Sequence, residues 1–308
     1  ALTVPTGGGK TVTSLAFALH HAVTHGMKRV IYIIPYTSII EQNAEVFRNI
    51  LGSGNVLEHH SGMEFDLSDG ASPEEIRRAL ASENWDMPVV VTTAARFFDS
   101  LYANRSSKCR KLHNLANSVI IFDEAQMLPL CHLRPCVAAM ASLAEYVGST
   151  LVLCTATQPS LRDLLRTYAP GHTVMELCPQ TEEIYDRFRR VTFRQAGVLE
   201  DDALTERLSN HRQVLCVVNS RRAAQQIFDR LPKEGCFHLS TLMIPTQRQA
   251  ILEEIRQRLK DGEPCRVVST SLIEAGVDVD FPTVYRELAG LDSILQAAGR
   301  CNREGKRA

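Results

Sequence analysis

The most constraining stretch of the chain is Pro5-Thr6-Gly7-Gly8-Gly9-Lys10-Thr11, which follows directly on an apolar start, Ala1 to Val4. Three consecutive glycines let successive backbone N–H groups turn toward one oxyanion. A helix beginning just after them adds the positive end of its dipole. Lys10 is then placed to reach the β- and γ-phosphates of ATP, and Thr11 to offer its hydroxyl to Mg²⁺. The strict pattern has glycine where this chain has Val4. Taken alone, the loop also fits a glycine-rich turn with a surface lysine.

A phosphate loop of this kind sits between a buried strand and a helix, and the chain repeats that alternation. Short β-branched runs at 29–34, 89–91, 119–122 and 150–153 read as buried parallel strands, with amphipathic segments near 12–25, 38–51, 94–103 and 133–147 between them. The rhythm breaks over 169–190, where Pro170-Gly171, Pro179 and a mixed-charge run intervene. It resumes with strands expected near 191–195, 213–218, 236–240, 266–270 and 283–287. The expected fold class is therefore α/β, two tandem doubly wound parallel-sheet domains: 1–180, a linker at 181–195, and 196–308, the last truncated. At 308 residues and 44% hydrophobic the chain has enough apolar material for two cores. A start four residues before the phosphate loop reads as a segment of something longer.

A net charge of −1 supplies no global field to attract nucleic acid, so any such binding must use local groups. Nine cysteines without a CxxC pair make neither a metal site nor a disulfide framework, and imply a reduced, cytoplasmic protein. There is no signal peptide and no run of eighteen apolar residues, so neither secretion nor a membrane partner is expected.

At the end of the apolar run Val119-Ile120-Ile121-Phe122 stands Asp123-Glu124-Ala125-Gln126. A surface Asp-Glu pair is ordinarily just solvated, but a strand tip beside a phosphate loop gives the two carboxylates separate tasks. Asp123 would hold Mg²⁺ and Glu124 would orient and deprotonate the attacking water. Gln126 does not titrate and is assigned to coupling. Thr155-Ala156-Thr157 ends the next strand; Thr155 and Thr157 fit either a relay that senses the acidic element or helix caps before Pro159. Late in the chain come Thr270-Ser271-Leu272-Ile273-Glu274-Ala275-Gly276-Val277-Asp278 and Gln296-Ala297-Ala298-Gly299-Arg300-Cys301-Asn302-Arg303. Arg300 and Arg303, three apart on one helical face with Gln296 a turn earlier, can both aim at a γ-phosphate; in isolation they also read as a surface arginine pair. Gly276 and Asp278 are assigned to the same nucleotide.

Hydroxyl and amide residues also mark three strand-to-helix junctions: Thr37-Ser38, Thr92-Thr93 and Asn219-Ser220. With Thr270 they could grip successive phosphates of one nucleic-acid strand, and ordinary N-caps would place the same residues there. The basic cluster Arg105, Lys108, Arg110 and Lys111 reads as a solvated loop, and His59-His60 lacks metal-ligand spacing.

With phosphate loop, acidic box, Thr-Ala-Thr, Gly-Val-Asp and Gln-x-x-Gly-Arg-x-x-Arg in this order, the chain resembles a superfamily 2 helicase core along nearly its whole length. More narrowly, Pro35-Tyr36-Thr37-Ser38-Ile39-Ile40-Glu41-Gln42, His238-Leu239-Ser240-Thr241, and Ile273 to Asp278 with Ala289-Gly290-Leu291-Asp292-Ser293 resemble the CRISPR-associated helicase of type I systems. The resemblance implies two RecA-like domains closing on ATP, with Lys10, Thr11 and Asp123 on one side and Arg300 and Arg303 on the other. It further implies a motor on single-stranded DNA, moving 3′ to 5′, recruited by an RNA-guided surveillance complex in antiviral defence. Family members carry a His-Asp nuclease domain ahead of the motor; no His-Asp dipeptide occurs in these 308 residues, so nuclease activity is not carried over. Gln126 also departs from the His or Asp that more often closes the acidic box. An RNA helicase of the DEAD/DEAH type is the nearest alternative, and a non-hydrolysing nucleic-acid-binding scaffold a more distant one. Backbone grips carry no base code and leave DNA or RNA open.

Overall fold

Each β-branched run of the first half becomes a strand buried on both faces, as a parallel sheet between two helical layers requires. The structure, a computed structural model, describes residues 1–5, 8–35, 37–63, 71–155, 161–274 and 276–306. The side chains of 37–39 and 245 lie outside the description, as do the expected site residues Thr6, Gly7 and Thr157. The chain divides into two units, Ala1–Tyr185 and Asp186–Ala308.

In the first unit, β1 (Leu2–Thr3), β2 (Arg29–Ile34), β3 (Val56–His59), β4 (Val89–Thr93), β5 (Ser118–Phe122) and β6 (Thr150–Thr155) form one parallel sheet in the order β1-β6-β5-β2-β4-β3. The intervening helices are α1 (Lys10–His25), α2 (Thr37–Leu51), α3 (Pro73–Asn84), α4 (Ala94–Tyr102), the one-turn α5 (Ser106–Cys109) and α6 (Leu112–Leu115), α7 (Leu133–Tyr146) and α8 (Leu161–Tyr168), followed by α9 (Thr181–Arg187) at the division. Ile31, Ile33, Ile120 and Phe122 face a core shared with Trp85, Phe97, Val137, Met140 and Leu161. Tyr32, on the opposite parity, meets Phe47 of α2 edge-on at 5.0 Å. Besides the short helices α5, α6 and α9, two elements packed on the sheet's β4 side, β3 and α3, escape the sequence reading. The strand β3 is short, and α3 opens on a Ser72/Glu75 capping box with Pro73 in its first turn, a start signal that the sequence does carry.

In the second unit, β7 (Gln213–Val217), β8 (Cys236–Leu239), β9 (Cys265–Ser269) and β10 (Val284–Arg286) make a parallel sheet in the order β10-β7-β9-β8, with helices α10 (Asp201–Ser209), α11 (Arg221–Arg230), α12 (Pro245–Asp261) and α13 (Leu291–Ala298). The strand expected near 191–195 is absent: residues 188–200 form neither helix nor strand, and Phe193 is 58% exposed. Propensity alone does not make a strand without a neighbouring strand to pair with, and this sheet is edged by β10 and β8. All nine cysteines are free thiols. Among the described residues no helix is long and apolar enough to cross a membrane.

Candidate nucleotide site and its coupling residues

The described part of the glycine loop is shaped by backbone bonds. Gly8 N–H donates to the Pro5 carbonyl at 3.0 Å, and Gly9 adopts φ 76°, a left-handed value that costs glycine nothing. Helix α1 therefore starts at Lys10 without a side-chain cap, which leaves its first N–H groups for an external acceptor. Its lysine is already directed: Lys10 Nζ donates to Glu124 Oε1 at 3.0 Å, with the two side chains 9% and 22% exposed.

The acidic element is delivered by the register of β5 on β2, which pairs Tyr32 with Ile121 and Ile33 with Phe122, after which Asp123 N–H bonds the Ile33 carbonyl at 2.8 Å. Asp123 thus emerges on the face of Tyr32. The Tyr32 hydroxyl donates to Asp123 Oδ2 at 3.3 Å and lies 3.1 Å from Ser14 Oγ. Asp123 Oδ1 accepts the Glu124 N–H at 3.0 Å. Burial, and then the adjacent Glu124 carboxylate, push the Asp123 carboxyl up to about 6, against the pull of Lys10 and those two hydrogen bonds. A site short of positive charge, lined by a carboxylate and a hydroxyl, is a hard-oxygen donor set that fits Mg²⁺.

Glu124 itself is strained, with φ 49° and ψ 51° at a residue that bears a Cβ. That turn aims its carboxylate back at Lys10, and Gln126 Nε2 holds the second oxygen at 2.5 Å. Gln126 Oε1 in turn accepts the Thr155 hydroxyl at 2.7 Å. Lys10, Glu124, Gln126 and Thr155 therefore form one hydrogen-bonded chain across α1, β5 and β6. An apolar cleft of about 750 Å³ opens beside Asp123 and Glu124, walled by Phe98, Tyr102, Phe122 and Leu128. Among the described residues its lining includes Asp123 and Glu124 but none of the glycine loop.

The second unit brings together Arg303 and Asp278, whose Nε and Oδ1 lie 2.7 Å apart. Arg303 N–H donates to Asp280 Oδ1 at 2.7 Å, and Arg190 Nη1 donates to the Arg303 carbonyl. Gly276 takes φ 71°. Arg300 is placed otherwise: it is 4% exposed, and its Nε and Nη2 donate to the carbonyls of Ile273 and Glu274 at 3.0 and 2.6 Å. Gln296 is buried as well.

The strand-to-helix junctions divide. Thr93 Oγ1 accepts Arg96 N–H as the N-cap of α4, and Ser220 Oγ accepts Ala223 N–H as the N-cap of α11, so each caps the helix that follows its strand. Thr92 corrects the expectation of a ligand-facing hydroxyl: it is fully buried and donates to the His59 carbonyl at 2.8 Å. Asn219 is exposed, with Nδ2 on the Leu288 carbonyl at 2.9 Å. Thr270 is buried just after β9, and its hydroxyl finds no hydrogen-bond partner among the described residues. The basic cluster is paired, Lys108 with Asp99 and Arg110 with Glu83, while Lys111 lies over the Trp85 ring. Glu41, Glu58 and His60 lie close enough to hold a metal, but both His60 nitrogens are engaged, by Gly62 N–H and by Glu58.

Sequence reasoning missed Tyr32, Arg286 and Arg190. Tyr32 had a signal, a lone hydroxyl in an aliphatic strand; the others acquire their partners only in the folded unit.

Known proteins of similar sequence and fold are helicases. Residues 1–164 match the family model described as DEAD/DEAH box helicase, and residues 210–306 match that of CRISPR-associated nuclease/helicase Cas3, C-terminal. The chain is 25% identical to the CRISPR-associated nuclease/helicase Cas3 of Haloferax volcanii over 98% of its own length and 44% of that protein. It is 24% identical to that of Methanothermobacter thermautotrophicus over 98% of its length and 38% of that protein. It spans less than half the length of these curated relatives. Among solved structures, T. fusca Cas3 with AMPPNP is similar, with a TM-score of 0.73 at 17% identity over 98% of this chain and 41% of that one. Mycobacterium smegmatis helicase Lhr bound to ssDNA and AMP-PNP gives 0.60 at 18% identity, over 98% of this chain and 42% of that one. These two likenesses show a shared fold.

Proposed function

Because the chain belongs to the DEAD/DEAH box helicase family, we propose that it is the motor part of a type I CRISPR-associated helicase, hydrolysing ATP to translocate on single-stranded DNA in antiviral defence. On this reading it works in the cytoplasm, beside a nuclease domain elsewhere in the full-length protein, at targets opened by an RNA-guided surveillance complex. The relatives described as Cas3 support the identity of the system.

The observation that carries the catalytic reading is the Lys10–Glu124 contact at 3.0 Å. A phosphate entering the glycine loop competes with Glu124 for the lysine. When Lys10 turns to the phosphate, Glu124 keeps its place through Gln126 and is left with a carboxylate oxygen to accept the proton of the attacking water. Asp123 and Thr11 are the residues that would hold Mg²⁺, which when bound neutralises charge on the phosphates. Gln126, bonded to both Glu124 and Thr155, ties the base to the end of β6. Pro5, Gly8 and Gly9 shape the loop, and Thr6, Gly7, Thr37, Ser38 and Thr157 keep the roles expected from sequence. For DNA, the capped helix starts at Thr93 and Ser220 offer backbone N–H groups to phosphates, and the hydroxyl of Thr270, without a partner among the described residues, suits a phosphate oxygen.

The test is phosphate release by the purified protein with single-stranded DNA, single-stranded RNA or neither. Stimulation by DNA is expected; stimulation by RNA alone points to an RNA helicase, and no hydrolysis at all to a scaffold, either of which overturns the reading.

Two smaller predictions attach to this site. Lys10→Ala removes a charge-assisted hydrogen bond worth about 1.5–3 kcal/mol, so ATP affinity is expected to fall roughly 10- to 100-fold with the circular dichroism unchanged. Nucleotide titration checks it, and unchanged affinity with unchanged turnover makes the loop merely structural. Thr92→Val is expected to cost about 1 kcal/mol of stability, seen in denaturant unfolding, and to leave DNA affinity within about twofold, because the lost bond is to His59.

A further inference from the structure

Several loops of the second unit converge on one buried ion pair. Arg286 ends β10, and Glu274 follows the single 3-10 turn Ser271–Ile273. Their Nε and Oε1 lie 2.7 Å apart, with side chains 8% and 4% exposed. On one side Arg286 Nη1 donates to Asn219 Oδ1 at 2.7 Å and to the Glu287 carbonyl at 3.0 Å. Asn219 is fixed from the same strand end, its N–H on Glu287 Oε2 at 2.7 Å. On the other side the backbone of Glu274 and Ile273 receives the Arg300 guanidinium at 2.6 and 3.0 Å. Asn219, Arg286, Glu274 and Arg300 are therefore joined end to end.

Such a pair is a poor device for stability alone. Desolvating two charges costs several kcal/mol per ion, and packed apolar residues in their place are often equally stable. What it supplies is direction. The planar guanidinium donates to Asn219 through Nη1, while its Nε faces Glu274 as a close ion pair without a hydrogen bond between Nε and Oε1, so a displacement of Asn219 is passed through the guanidinium to Glu274 and so to the carbonyls that Arg300 holds. A lysine in that place would be a single point charge.

We propose that the Glu274–Arg286 pair is a positioning link, which passes the state of the nucleic-acid grip at Asn219–Ser220 to the Arg300 loop and so sets how strongly nucleic acid accelerates ATP hydrolysis. The inference rests on the reading of the protein as a DNA-stimulated ATPase.

The experiment compares the protein with its Glu274→Gln, Arg286→Lys and double variants. Glutamine keeps the shape and loses the charge, and lysine keeps the charge and loses the planar fork that reaches Asn219 and Glu274 together, so each breaks the link with little loss of packing. Two quantities are read: the ratio of DNA-stimulated to basal ATPase rate, and the change in affinity for a labelled oligo-dT when AMPPNP is added. Each single variant is expected to lower the ratio about tenfold. The double variant should be no worse than the weaker single, because members of one link are not additive. The effect of AMPPNP on DNA affinity should shrink in step, since coupling between two ligands is reciprocal. A merely structural pair lowers basal and stimulated rates together; an unchanged ratio in both single variants, additive losses in the double, or failure of both singles to fold overturns the link. If one single variant fails to fold, the other decides. A starting protein that hydrolyses ATP but ignores DNA overturns the underlying reading, and is told apart by needing no variant to show it.

Discussion

Glu124→Gln is expected to bind Mg²⁺-ATP at least as tightly as the parent protein and to hydrolyse it about 10²- to 10⁴-fold more slowly, the range of a lost general base. The hundredfold end alone corresponds to about 2.7 kcal/mol of barrier. Binding survives because Lys10 gives up a carboxylate partner and is left more available to phosphate. The fold survives because the network can turn over. Gln126 now bonds Glu124 through its amide nitrogen and Thr155 through its oxygen, and an amide flip with a rotated Thr155 hydroxyl satisfies a glutamine at 124 equally well. Fluorescent-nucleotide titration and steady-state phosphate release separate the two quantities. Hydrolysis at the parent rate means that another group activates the water.

Arg303→Ala is expected to retain most ATP affinity in the resting protein and to lose about 10³-fold or more in DNA-stimulated hydrolysis, about 4 kcal/mol. The role expected of this guanidinium is that of an arginine finger, whose planar fork stabilises charge on the equatorial oxygens of a γ-phosphoryl group. Its surroundings suit a moving finger. The partner Asp278 is 60% exposed, and a pair of that kind contributes about 0–1 kcal/mol, so the side chain leaves it at little cost. Meanwhile the backbone is held on both sides by Asp280 and Arg190. Arg303→Lys should not restore the rate.

Arg300 makes the contrast. Arg300→Ala strands two buried carbonyls, each costing about 1–3 kcal/mol, and is expected to appear first as lost stability in thermal unfolding. If Arg303→Ala keeps full DNA-stimulated turnover, the assignment of the finger is wrong.

By itself the sequence determined the α/β alternation, because runs such as Val119-Ile120-Ile121-Phe122 have only buried parallel strands to become, and glycines followed by lysine have few uses besides a phosphate. It also placed Lys10, Asp123 and Glu124 at strand and helix ends, where local chemistry suffices to name them. It misjudged residues 191–195, since β-branched composition does not supply a neighbouring strand. Only tertiary structure decided which hydroxyls and guanidinium groups are available. Thr92 and Thr93 are adjacent and chemically alike, yet the alternation of β4 buries the first on His59 and leaves the second to cap α4. Arg300 and Arg303 share a motif, yet one is closed over by the Ile273–Glu274 backbone and the other ends in an exposed pair. The reason is range: propensity and periodicity act over a few residues, whereas Arg286 meets Asn219 across 67 positions and Lys10 meets Glu124 across 114. Contacts at that separation exist only once the sheet has set its strand order.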